Sequence, residues 1–124
     1  MKRLNNMMDS LIFDPGKMTI IYGDHKTGRS NLAELIKNWD GDKSKHVYDD
    51  FDMLIGDDSK IAKFREYLVE TGFHGILVTS HPGALARNLA DNLIHTTVID
   101  DSFYATVEKN RYSVETMTCN ITKL

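Results

Sequence analysis

The stretch Met18-Thr19-Ile20-Ile21-Tyr22-Gly23-Asp24-His25-Lys26-Thr27-Gly28-Arg29-Ser30 decides how this chain is read. It opens with an apolar run of strand length and passes into a loop bounded by two glycines. Immediately after it, Leu32, Leu35, Ile36 and Trp39 recur at i, i+3, i+4 and i+7, the spacing of one helical face, until Asp40-Gly41-Asp42 stops the pattern. Strand, glycine loop and helix in this order match the phosphate-loop pattern G-x-x-x-x-G-K-S/T. Two glycines let the backbone curl until its N–H groups face one anion, and the following helix aims its positive dipole end at the same point. Gly23, Asp24, His25, Lys26, Thr27, Gly28, Arg29 and Ser30 are therefore the candidate phosphate-binding residues.

One letter departs from the pattern. Arg29 stands where a lysine normally reaches the β- and γ-phosphates as a compact, mobile charge. A planar guanidinium binds phosphate well but needs another angle of approach, so binding can survive while the geometry for γ-phosphate transfer is lost. Lys26 offers an alternative ammonium within the loop. The plain alternative is that Gly23 and Gly28 only shape a strand-to-helix turn.

Around this motif the composition sets bounds. With 124 residues, 41% of them hydrophobic, and only 2 prolines, the chain suits a single domain over 1–124 with one modest core. A formal net charge of -3 argues against a basic nucleic-acid clamp, so any contact with nucleic acid is expected to be indirect. The single cysteine, Cys119, falls in an alternating segment, which suits a packing role in a reducing, cytoplasmic setting. No apolar run approaches the length of a membrane helix or a secretory signal, and no membrane partner is expected.

The apolar pattern predicts an α/β domain. Residues 4–17 read as a lead-in with a turn at Asp14-Pro15-Gly16. His46-Val47-Tyr48 reads as a second strand, and a helix beginning near Ser59 with Ile61, Phe64 and Leu68 on one side ends at Gly72. Gly75-Ile76-Leu77-Val78-Thr79 is a continuous apolar run, expected of a central parallel strand covered on both faces. A third helix carries Leu85, Ala86, Leu89 and Ala90, with Pro82 in its first turn. Ile94–Ile99, Phe103–Glu108 and Tyr112–Ile121 read as three closing strands. The architecture expected is a three-layer sandwich: a mainly parallel sheet, helices on both faces, and an antiparallel β-rich C-terminal edge.

A phosphate loop shares the charge of a triphosphate with Mg²⁺, held by the loop hydroxyl and by a carboxylate at a strand end. Ser30 and Asp49 suit those two roles. In Val47-Tyr48-Asp49-Asp50 the strand would deliver Asp49 to the metal and Asp50 to the attacking water, although Asp50 is shorter than the glutamate usual there. The alternative is an acidic, solvated loop. Thr79-Ser80-His81 closes the central strand at the edge where ligands bind in open α/β sheets, so His81 is a candidate for sensing the γ-phosphate, against a turn-capping role for Ser80 or His81.

The run from Phe13 through Gly23, together with Ala90-Asp91-Asn92-Leu93-Ile94 and Val107-Glu108-Lys109-Asn110-Arg111, resembles the RecA-type ATPase core, with echoes of DnaB-like helicases and of the archaeal RadB and KaiC relatives. The resemblance implies ATP as ligand, hydrolysis in a homo-oligomer or larger ATPase assembly, and a Lys-x-Arg element, here Lys109 and Arg111, that reaches a neighbour's γ-phosphate. Three departures stand beside it: Arg29, Asp50 in place of glutamate, and a chain too short for DNA-binding loops. The reading that follows is a minimal, slow ATPase; the alternative is a non-hydrolysing domain serving as an assembly or regulatory module. A phosphotransferase would need an arginine-rich lid that the sequence lacks.

Overall fold

The structure, a computed structural model, describes residues 2–49, 57–111 and 117–124. Its elements run α1 (Lys2–Ser10), β1 (Met18–Tyr22), α2 (Arg29–Asn38), β2 (Lys45–Tyr48), α3 (Asp58–Thr71), β3 (His74–Thr79), α4 (Ala84–Leu89), β4 (Asn92–Ile99), β5 (Ser102–Lys109) and β6 (Met117–Asn120). The six described strands form one sheet in the order β2-β3-β1-β4-β5-β6. The first four run parallel; β5 and β6 join antiparallel. The three-layer α/β sandwich is thus as expected.

Burial follows from the layering. Packed on one face, Leu4, Met7, Met8 and Leu11 of α1 and its exit meet Leu32, Ala33 and Ile36 of α2 over Ile21, Ile76, Val78 and Ile94. On the other face, Ile61 and Leu68 of α3 and the flank of α4 cover Met18, Ile20 and Leu77. Because β3 is covered on both sides, all six of its residues are buried, which accounts for its unbroken apolar run. Cys119 lies in the core of the first face, where burial pushes its thiol pKa up, as its packing role requires.

Two expectations need correction. The lead-in contains α1, whose buried side chains at 4, 7, 8 and 11 carry the helical period and pack on the sheet. Pro82 precedes the third helix instead of sitting in its first turn, and Gly83 is the N-cap. The last strand is described only from Met117; the earlier part of its expected span, 112–116, lies outside the described residues.

Polar groups at the amino edge of the sheet lock three strands in register. Asn92 donates from Nδ2 to Thr19 Oγ1 at 2.8 Å and brackets the backbone of Ile12 with both ends of its amide. Thr19 Oγ1 lies 2.8 Å from Nε2 of the buried His74, whose Nδ1 is 3.2 Å from the Asp14 carbonyl. A carbonyl can only accept, so Nδ1 carries the proton and Nε2 accepts from Thr19, which leaves a neutral imidazole. Burial accordingly holds the His74 pKa below its ordinary value.

Candidate functional site

The loop between β1 and α2 leaves the carboxyl edge of the sheet beside the central strand. There β1 is flanked by β3 on one side and β4 on the other, the crevice in which open α/β sheets take ligands. Gly23 is needed for close approach: a Cβ there would run into the Thr96 carbonyl of β4 and lie 2.6 Å from Thr96 Oγ1. At Gly28 the backbone is left-handed, φ 84°, and no side chain caps α2, so the first-turn N–H groups have no partner within the helix. Lys26 also adopts a left-handed conformation, φ 63°, and is exposed at the loop's crest.

The side chain of Thr27 turns into the protein. Its buried hydroxyl donates to the Asp24 carbonyl at 2.7 Å and sits 2.7 Å from Thr96 Oγ1, riveting the loop to β4. Asp24 and His25 are exposed. The curve is therefore held by the protein's own bonds before any ligand is present.

Arg29 folds back over the loop. Its guanidinium donates to the Gly23 carbonyl at 3.1 Å and to Ser80 Oγ at 3.2 Å from Nη1, and to His25 Nδ1 at 3.2 Å from Nη2. Arginine has no acceptor, so His25 accepts through Nδ1 and carries its proton on Nε2. The guanidinium thus links the first glycine, the loop's exposed histidine and the end of β3.

Ser30 and Asp49, nineteen residues apart in sequence, meet: Ser30 Oγ donates to Asp49 Oδ2 at 2.9 Å. Parallel pairing of β2 with β3 brings the end of β2 to the same sheet edge as the loop, and the first turn of α2 presents the serine toward it. A hydroxyl and a carboxylate oxygen in contact are hard donors of the kind Mg²⁺ takes alongside phosphate oxygens, so the pair fits that ion. Asp50 lies outside the described residues.

A cavity of 360 Å³ opens over the loop, lined by His25, Lys26, Gly28, Arg29, Ser30, Asn31 and Phe103. His81 does not line it. That exposed side chain borders a separate 150 Å³ pocket with Gly23, Asp24, Ser80, Arg87 and His95 on the far side of the loop. Arg87 there stacks on Tyr22, which stacks in turn on His95 and donates to Glu108; burial and the Glu108 carboxylate push the Tyr22 phenol pKa up.

Lys109 and Arg111 are not brought to the loop. Antiparallel pairing sets Lys109 beside Leu93 at the start of β4, on the opposite edge of the sheet, and Lys109 Nζ donates to the Asn88 carbonyl at 3.0 Å.

No protein-family model matches the chain, and no curated protein matches it. Among solved structures, a KaiC-like protein from the hyperthermophilic archaeon Pyrococcus horikoshii superposes with a TM-score of 0.61 at 13% identity, over 90% of this chain and 89% of that one. The two share a fold. At that identity the likeness is one of architecture alone.

Three residues now stand at the site that the loop motif did not name. Ser80 could be found only as the polar end of an apolar strand. Thr96 and Phe103 carry no local signal, since each meets the loop across more than sixty residues of chain.

Proposed function

We propose that this domain binds a nucleoside triphosphate, ATP in the first instance, together with Mg²⁺, and turns it over slowly. The observation that carries the reading is the contact between Ser30 and Asp49 at the mouth of an uncapped helix. Phosphates would lie along the amides of Gly23 to Ser30, with Lys26 and Arg29 supplying positive charge. Ser30 and Asp49 would hold Mg²⁺, which on binding draws charge from the phosphate oxygens.

Arg29 would set the rate. In the bonds it makes here its charge is directed at Gly23 and Ser80, so a γ-phosphate must compete with the loop's own acceptors before gaining that cation. Lys109 and Arg111, on the far edge, could serve only a neighbouring copy's loop, and the proposal includes assembly on that basis. His81 stays a candidate for sensing the γ-phosphate from its pocket beside Gly23.

Titration calorimetry with ATP, with and without Mg²⁺, tests the proposal. Saturable binding at one site per chain, strengthened by Mg²⁺, is expected. Absence of heat with either ATP or ADP at concentrations that reveal weak binding would overturn it. Phosphate release that does not change on dilution, or in Arg111→Ala, would remove the neighbour-acting role.

A further inference from the structure

The cavity over the loop has two chemical halves. His25, Lys26, Arg29, Ser30 and Asn31 line it with polar side chains, those of Lys26 and Arg29 cationic, and Phe103 lines it with an aromatic ring. A bare anion would use only the first half. We propose that Phe103 is the stacking platform for the flat heterocyclic base of the ligand, so that the site takes nucleotides in preference to inorganic polyphosphates. This rests on the phosphate reading of the loop and extends it to the other end of the ligand.

Phe103 is well held for such a task. It is the second residue of β5, at the carboxyl edge of the sheet, because the hairpin from β4 returns there through Asp100 and Asp101, both left-handed at φ 50° and 64°. Two consecutive positive φ values make the tight turn that matches strand twist, and aspartate tolerates them. The backbone of Phe103 is fixed on both sides: its N–H donates to Thr122 Oγ1 at 2.9 Å and its carbonyl accepts from Ile121 N at 2.8 Å. The ring sits against Gly28, where a Cβ would be 3.7 Å from Cδ2, so the loop glycine and the platform are in direct register. A ligand with phosphates on the helix terminus would thus meet the ring with its other end. Stacking is tolerant of base identity because every base has a π face.

The test compares Mg²⁺–ATP and Mg²⁺–tripolyphosphate by calorimetry on the full chain. Phe103→Leu keeps apolar contact with Gly28 and Ile121 but loses the π face; it is expected to weaken ATP about tenfold and leave tripolyphosphate unchanged. Phe103→Trp is expected to retain ATP affinity, which guards against a folding effect. Equal loss for both ligands, or undiminished ATP affinity in Phe103→Leu, overturns the platform while leaving the loop reading intact. Failure of the wild type to bind either ligand removes the loop reading and the platform with it.

Discussion

Arg29 Nη1 stands 3.2 Å from Ser80 Oγ, joining the residue that departs from the phosphate-loop pattern to the end of β3. The bond gives the substitution a structural consequence. A lysine at position 29 has one ammonium at the end of a flexible stem and cannot span Gly23, His25 and Ser80 together. Arg29→Lys is expected to release Ser80 and the Gly23 carbonyl and to raise phosphate release from Mg²⁺–ATP by about tenfold or more, the scale of a charged hydrogen bond. A Malachite Green time course checks it; unchanged turnover would mean that the guanidinium does not limit the rate.

Removing a charge from the proposed metal pair separates metal binding from phosphate binding. Asp49→Asn keeps the hydrogen bond from Ser30 but loses the carboxylate. ATP affinity in Mg²⁺ is expected to drop about tenfold or more, while affinity in EDTA stays within about twofold. Equal affinities for wild type and variant across a Mg²⁺ titration would dissociate Asp49 from the ion.

The glycines make different demands. Gly28→Ala meets only ordinary contacts, 3.4 Å to Ile121 and 3.7 Å to Phe103, so its cost is that of a left-handed alanine, about 1–2 kcal/mol. Gly23→Ala drives a methyl group into the Thr96 backbone and is expected to cost more and to displace the loop from β4. Urea denaturation of the two variants should give this order.

Acid should loosen the amino edge of the sheet through His74. Its folded pKa is lowered by burial, so between that value and the ordinary 6.5 the unfolded chain binds a proton that the folded chain refuses. Stability from this group is complete above about pH 7 and falls as the pH drops through the window, by at most about 1.4 kcal/mol per pH unit. His74→Gln, which cannot titrate, is expected to flatten that part of the stability profile; an unaltered slope near pH 6 would exonerate the imidazole.

Much of this architecture was legible because local pattern and tertiary role coincide. Ile76, Leu77 and Val78 form an apolar run because both faces of β3 are covered, and Asp57 and Gly72 bound α3 as an N-cap and a left-handed C-terminus. Ser30 and Asp49 could be paired in advance because each closes or opens an element at the same sheet edge. The helix α1 was missed: Leu4, Met7, Met8 and Leu11 carry its period, but the polar Asn5-Asn6 pair interrupts the stripe. What could not be read are contacts made by folding: Arg29 with Ser80 across 51 residues, Thr27 with Thr96 across 69, and the ring of Phe103 against Gly28. In each, neither partner's neighbourhood announces the other.

The order of strands carries a consequence for biosynthesis. Since β1 is zipped to β3 and β4, and the loop is fastened to Thr96, a nascent chain that has not yet released residue 96 holds the glycine loop by its internal bonds alone, without its anchor on β4. The curve of the loop is therefore complete only once β4 has paired with β1 and Thr96 has met Thr27.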